Sequence, residues 1–272
     1  MRIALGQLAA TMHKEENLEL ARRAVRDARA GGADLLLFPE VFMAFFPPRS
    51  GATPASLAEP LDGPFVTALA TEARDHNLYV GCGVWETAAG ERTRAHNTAL
   101  LLGPDGSLLL SYRKTHMYDA FGYRESDLCV PGERGPRTVR TPIGRFGLLV
   151  CYELRFPELA RMLAVDGADV ILLPAAWIAG PLKEAHWAAL TAARAIENTV
   201  FVAAADQAGE HRVGGSRLVD PMGVVLAGGG ESAGLVFGDV DLERIAQVRE
   251  KLPSLGQRRE EIYAQRGAAA RA

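Results

Sequence analysis

Two side chains in this 272-residue sequence, Glu40 and Cys151, stand where apolar runs break off, and a third, Lys114, leaves the end of a hairpin strand. Reactive groups of α/β proteins collect at such strand ends. Glu40 follows Pro39 at the end of Leu35-Leu36-Leu37-Phe38, and Val41, Phe42 and Met43 come next. Burial among such groups raises a carboxylate pKa and makes it a usable proton acceptor near neutrality. In an open loop the same residue is an ordinary surface acid. Cys151 ends the run Phe146–Val150 and precedes a helix expected from Pro157. At a strand-to-helix turn, backbone N–H groups can point at a reacting atom. A free cysteine is otherwise a small buried hydrophobe. That reading suits Cys82, inside Val80-Gly81-Cys82-Gly83-Val84, and Cys129. Lys114 lies in Tyr112-Arg113-Lys114-Thr115-His116. By default it is a surface lysine; beside a cysteine it would favour the thiolate and hold a developing oxyanion. Physical chemistry does not by itself bring the three together.

The elements that must position them alternate along the chain. Arg2–Leu8 reads as a strand. His13–Ala30 reads as a helix, with Leu18, Ala21, Val25 and Ala28 on one face and Gly31-Gly32 as its stop. Asp34–Phe38 is a continuous apolar run, as expected of a strand covered on both faces. A helix over Phe65–Asn77, a strand over Leu78–Trp85 and a hairpin over Thr98–Leu102 and Ser107–Tyr112 follow. The second half repeats the scheme: strand Arg145–Cys151, helix Pro157–Val165, strand at Gly167–Pro174, helix Lys183–Asn198 and strand Thr199–Ala205. A hairpin over Gly215–Leu226, a strand Leu235–Val240 and a helix Leu242–Lys251 complete it. Gly32-Ala33-Asp34, four apolar residues and Pro39 recur 135 residues later as Gly167-Ala168-Asp169, four apolar residues and Pro174. This is either an internal repeat or the common look of any helix-to-parallel-strand junction. Both readings give right-handed βαβ units in one continuous α/β domain with mixed sheets covered by helices.

Composition narrows the function. Thirty basic and 33 acidic residues give a net charge of −3, without the basic excess of a nucleic-acid groove. Three cysteines are too few and too odd for a secreted disulfide framework, so a reducing, cytoplasmic setting is expected. No leader-like apolar stretch opens the sequence and no apolar run is long enough to span a bilayer, so no membrane partner is expected. A His-Glu-x-x-His motif, a Cys-x-x-Cys pair, a Walker A motif and a Gly-x-Gly-x-x-Gly motif are all missing, so no metal and no nucleotide cofactor is expected. Residues 1–263 are expected to form one domain and 264–272 a flexible tail.

Glu40 in Phe-Pro-Glu, Lys114 in Tyr-Arg-Lys-Thr-His and Cys151 in Cys-Tyr-Glu-Leu-Arg-Phe-Pro-Glu together resemble the Glu-Lys-Cys triad of the nitrilase, or carbon–nitrogen hydrolase, superfamily. Arg124-Glu125-Ser126-Asp127, Ala185-His186-Trp187, Arg194–Asn198 and Asp220-Pro221-Met222-Gly223 add to the resemblance, which runs from Ile3 to about Tyr263. It implies a four-layer α-β-β-α sandwich and a homodimer. It also makes Glu125 a second, substrate-positioning glutamate. The Cys-Tyr-Glu sequence looks closer to Nit-type amidases, which act on omega-amides or deaminated glutathione, than to true nitrilases.

What the resemblance implies is hydrolysis of a small-molecule amide through a thioester on Cys151. Glu40 would be the base, and Lys114 with the Tyr152 N–H would hold the oxyanion. Trp177 would shape the acyl pocket, because Ala175–Lys183 lacks the Phe and Thr-Gly pattern of those amidases. A small aliphatic amide, a nitrile or an N-carbamoyl substrate would use the same triad. A Cys-His pair with His116 or His186 as base is a competing arrangement. A non-catalytic binding subunit that keeps the fold is the reading from another class.

Overall fold

A computed structural model describes residues 1–46 and 51–263; the expected tail at 264–272 lies outside the described residues. The first half runs β1 (Arg2–Gln7), α1 (Lys14–Ala30), β2 (Leu35–Leu37), α2 (Pro54–Leu57), α3 (Pro64–Asp75), β3 (Tyr79–Glu86), β4 (His96–Leu102) and β5 (Leu108–Arg113). A two-stranded ribbon, β6 (Asp119–Ala120) and β7 (Tyr123–Arg124), leads out of it. The second half runs β8 (Thr138–Thr141), β9 (Gly144–Leu148), α4 (Pro157–Val165), β10 (Val170–Ala175), α5 (Lys183–Asn198), β11 (Phe201–Asp206), β12 (Arg217–Val219) and β13 (Val225–Gly228). β14 (Gly234–Asp239) and α6 (Glu243–Lys251) follow.

The strands form two six-stranded sheets, ordered β14-β1-β2-β3-β4-β5 and β13-β12-β11-β10-β9-β8. In each, the three central strands are parallel and the outer ones antiparallel. Strand alternation sorts the core. Ile3, Leu5, Leu35 and Leu37 turn toward the second sheet and join a cluster with Leu148 and Leu172. Ala4, Leu36 and Phe38, one residue out of phase, lie under α1 and α3 with Val25 and Leu69. α5 packs on β11 and β12, and α4 packs on α5. The result is the α-β-β-α sandwich that the resemblance implies.

The repeated Gly-Ala-Asp is a repeated junction. Gly32 and Gly167 both take left-handed φ angles, +78° and +88°, just past a helix. Ala33 and Ala168 are fully buried. Asp34 accepts from Arg2 N at 2.7 Å, and Asp169 accepts from Arg145 N at 2.8 Å. Each Asp thus ties the start of its strand to the start of the preceding one.

The elements differ from expectation in a few places. The strand expected to reach Cys151 stops at Leu148, and Cys151–Arg155 form a 3-10 turn. Leu149 and Val150 keep the apolar pattern because both are buried, although the ladder has ended. Pro174 lies within β10 rather than ending it. Leu172 O faces Leu149 N, so Pro174, two residues on, turns its nitrogen to the side where β9 has already stopped. The ribbon β6–β7 was not expected; Phe121 and Gly122 at its tip both have positive φ, +54° and +80°.

A Cβ added at Gly32 would meet nothing within 4 Å, so only the backbone conformation resists a side chain there. Gly32→Ala is expected to lose about 1 kcal/mol of stability. Urea denaturation that showed no loss would remove the left-handed junction from the account of the repeat.

Candidate active site

Each functional side chain sits where a strand has just ended. Glu40 leaves β2 in a turn pressed against β3. A Cβ at Gly83 would lie 2.6 Å from Glu40 Cα and 2.5 Å from Val41 N, so the approach needs glycine. Glu40 N donates to Ala175 O at 3.3 Å, and Gln207 Nε2 donates to Glu40 O at 2.8 Å, which ties the turn to the second sheet. Lys114 follows β5, with its N–H on Asn97 O at 2.9 Å. Glu125 opens a 3-10 turn after β7, and its Oε2 accepts from Tyr118 N at 2.7 Å. Cys151 opens the turn after β9 with φ +43°, a conformation that a non-glycine residue keeps only when its surroundings hold it.

These four converge in a buried cluster. Lys114 Nζ lies 2.9 Å from Glu40 Oε1 and 2.9 Å from both oxygens of Glu125. Asn97, which sequence reasoning missed, donates from one amide nitrogen to Glu40 Oε1 at 2.7 Å and Glu125 Oε1 at 3.1 Å. It stands between His96 and Thr98 in the polar opening of β4, where nothing local marks it. Ala176 N donates to Glu40 Oε2 at 2.9 Å, and the Cys151 thiol and the Glu40 carboxylate are close enough to shift each other's pKa. His211 lines the cavity whereas His116 and His186 do not; the charge that acts most strongly on the thiol is that of Glu40.

The electrostatics correct two expectations. Burial does press the Glu40 pKa upward, but the Lys114 charge and the hydrogen bonds from Lys114 and Asn97, with a smaller effect of the Cys151 thiol, outweigh it and hold the carboxyl below its ordinary value. Burial pushes the Cys151 thiol well up, and the Glu40 charge adds to this against the opposing pull of Lys114. Burial would lower Lys114, yet Glu125 and Glu40 together carry it well above its ordinary value. The resting site is therefore carboxylate, ammonium and neutral thiol, not a preformed thiolate.

Two further acids surround it. Asp206, at the end of β11, accepts from Trp177 N at 2.6 Å and Gln207 N at 3.0 Å, and burial holds its pKa well above the usual range. Glu153, two residues past the cysteine, is fully buried. Cys82 faces the helix layer beside Val80 and Leu100. Cys129 lies 3.9 Å from Glu125 Oε1 and so borders the site without entering the cavity lining.

The cluster forms the floor of a cavity of about 510 Å³. Phe45, Trp85, Tyr118, Tyr152 and Trp177 are among its walls. Trp177 is buried, and its indole N–H donates to Lys183 O at 3.1 Å. Arg155 stacks on the Trp177 ring at 4.8 Å. Lys183, 6% exposed, lies 4.0 Å from the Phe121 ring centroid and 3.1 Å from Tyr118 Oη. Among the described residues no carboxylate stands at ion-pair distance from Lys183 or Arg155. No group of three or more possible metal ligands occurs among the described residues. No helix among them is long and apolar enough to cross a membrane.

Comparison with known proteins places this pocket in a family. Residues 2–250 match the model of the carbon–nitrogen hydrolase family. The deaminated glutathione amidase of Escherichia coli O157:H7 is 36% identical over 95% of this chain and 97% of its own. The human omega-amidase NIT2 is 34% identical over 97% and 96%. Among solved structures, the Caenorhabditis elegans NitFhit protein superposes with TM-score 0.88 at 31% identity, covering 96% of this chain, which spans 66% of that longer one. A variant of the amidase from Nesterenkonia sp. AN1, with the acetamide moiety of fluoroacetamide added covalently at its active-site cysteine, superposes with TM-score 0.82 at 29% identity, over 97% and 96% of the two chains. With a cysteine, a lysine and two glutamates gathered in one buried pocket of this sandwich, and a match along nearly its whole length, the chain belongs to the carbon–nitrogen hydrolase family.

Proposed function

We propose that the chain hydrolyses the amide bond of a small molecule bearing a negatively charged tail, with Cys151 as nucleophile. The observation that carries the chemistry is that one carboxylate, Glu40, pairs with the Lys114 ammonium at 2.9 Å and acts electrostatically on the Cys151 thiol. Because Glu40 is a weak base here and the thiol a weak acid, the proton moves only as sulfur attacks the amide carbon. Negative charge passes to the carbonyl oxygen, held by the Lys114 ammonium and the Tyr152 N–H. Losing one such donor typically raises the barrier by about 3–4 kcal/mol. Glu40 then hands its proton to the departing ammonia, leaving a thioester on Cys151. Water gives a proton to Glu40 as it attacks the thioester, and the carboxylic acid leaves with the thiol restored. Glu125 orients Lys114 through both oxygens.

The cavity supports the tail. Its volume of about 510 Å³ far exceeds a small aliphatic amide. A buried ammonium is stable only when paired or hydrogen-bonded. Lys183 has a phenol and two aromatic faces but no carboxylate partner, which suits an anionic substrate group. The names of the relatives, deaminated glutathione amidase and omega-amidase, point the same way. The covalent fluoroacetamide complex of the Nesterenkonia protein favours the second reading, a small aliphatic amide. The match over residues 2–250 supports reading 1–263 as one hydrolase domain; a homodimer in the cytoplasm completes the proposal.

Ammonia release from a panel of amides, nitriles and N-carbamoyl compounds tests this reading. Cys151→Ala is expected to abolish release for want of the nucleophile, and Glu40→Gln for want of the base that takes the thiol proton; normal turnover in either would refute the assignment. Lys183→Met is expected to raise KM for glutaramate about tenfold and to leave butyramide within about twofold, since only the former carries a carboxylate. Equal effects on the two would send the reading back to a neutral amide. Glu40 has a lowered pKa in the folded enzyme and must be ionised to act, so activity persists as pH falls until Glu40 itself protonates. The acid limb of the kcat/KM profile should lie below the ordinary carboxylate range; a limb near about pH 6 would point to a histidine base. The same depressed pKa contributes stability above the unfolded carboxylate value, lost as pH falls through the folded one.

A further inference from the structure

Glu153 has no part in the steps above, yet its carboxyl group joins two segments on either side of the reacting atoms. Oε1 accepts from the Tyr112 hydroxyl at 2.7 Å, Thr115 N at 2.8 Å and the Thr115 hydroxyl at 2.9 Å. Oε2 accepts from Val150 N at 3.0 Å. Tyr112 and Thr115 bracket Lys114, whereas Val150 immediately precedes Cys151. The first pair belongs to the end of β5 in one sheet, and the second to the end of β9 in the other.

Both oxygens face N–H or O–H donors, an arrangement that needs acceptors on each side, and an ionised carboxylate supplies them. A glutamine offers one acceptor and one donor, so in either orientation its NH₂ meets an N–H. The side chain also closes the nucleophile turn on itself: Glu153 N donates to Val150 O at 2.9 Å while Glu153 Oε2 takes Val150 N. Cys151, with its left-handed φ of +43°, sits inside that closed ring. Strained backbone of this kind persists where neighbouring bonds over-determine it.

We infer that Glu153 is a positioning residue that sets the distance and angle between Lys114 and Cys151 across the seam of the two sheets. It touches no reacting atom. It acts through Val150 on the sulfur and through Thr115 and Tyr112 on the ammonium. Displacement of a reacting group by about 1 Å can lower a rate about a hundredfold, so a brace of this kind bears on turnover and not on binding. The inference rests on reading Cys151 as the nucleophile.

The test uses the full chain and two readouts: the rate of acrylamide addition to Cys151, followed by peptide mass spectrometry, and kcat and KM for ammonia release. Glu153→Gln is expected to slow Cys151 labelling and kcat by about tenfold or more, with KM within about twofold and labelling still reaching one per chain. A role confined to holding the fold together would instead lower the fraction of labelled chains and leave the rate per folded chain unchanged, and that result overturns the inference. Should Glu153→Gln fail to fold, Tyr112→Phe carries the test. It removes one donor and keeps the carboxylate, and is expected to slow labelling about threefold; an unchanged rate overturns the inference. If wild-type chain labels at Cys151 but hydrolyses no compound in the panel, the amidase reading fails while the labelling comparison still decides the role of Glu153.

Discussion

A single ammonium group holds the site together. Lys114 Nζ is shared between Glu40 and Glu125, and all three are almost wholly removed from water. Two buried carboxylates this close repel one another unless a cation lies between them. The lysine therefore makes it possible for Glu40 to remain ionised beside a thiol. Asn97 then bridges the same two carboxylates from the neighbouring strand. The geometry of four strand ends follows from keeping this cluster hydrogen-bonded and dry.

The residues proposed to carry the chemistry stand out in the sequence because they break a pattern. Glu40 and Cys151 end apolar runs, and Lys114 leaves a hairpin; together their motifs resemble a known triad. Their protonation states were not legible. The apolar neighbours Phe38, Phe42 and Met43 suggested a raised Glu40 pKa, but the lysine that reverses the sign comes from 74 residues away. Asn97 and Asp206 were missed for the same reason: their partners are distant in sequence, and nothing local marks them. Among the described residues, the five longer helices, with their three-to-four-residue periodicity, were read to within a few residues, whereas the four-residue α2 was not read at all. The ribbon at Asp119–Arg124 escaped because its Phe-Gly tip is not a common hairpin dipeptide.

The repeated Gly-Ala-Asp junction gives the two halves the same strand order, and so the same rim of strand ends. Stacking the sheets brings the rims together. Glu40 and Lys114 come from one half, Cys151 and Glu153 from the other, and the bonds of Gln207 and Ala176 to Glu40 cross the seam. Neither half alone contains the proposed nucleophile together with its proposed base. Reactivity is thus a property of the finished sandwich.

The raised pKa of the buried thiol has a consequence outside turnover. Peroxides and disulfides react with thiolates, not thiols. A sulfur that gives up its proton, to Glu40, only when a substrate is bound would be shielded between catalytic cycles from the oxidants that convert thiolates to sulfenic acid. Its shelf life in an oxidising moment is set by the same hydrogen bonds that delay its chemistry until an amide arrives.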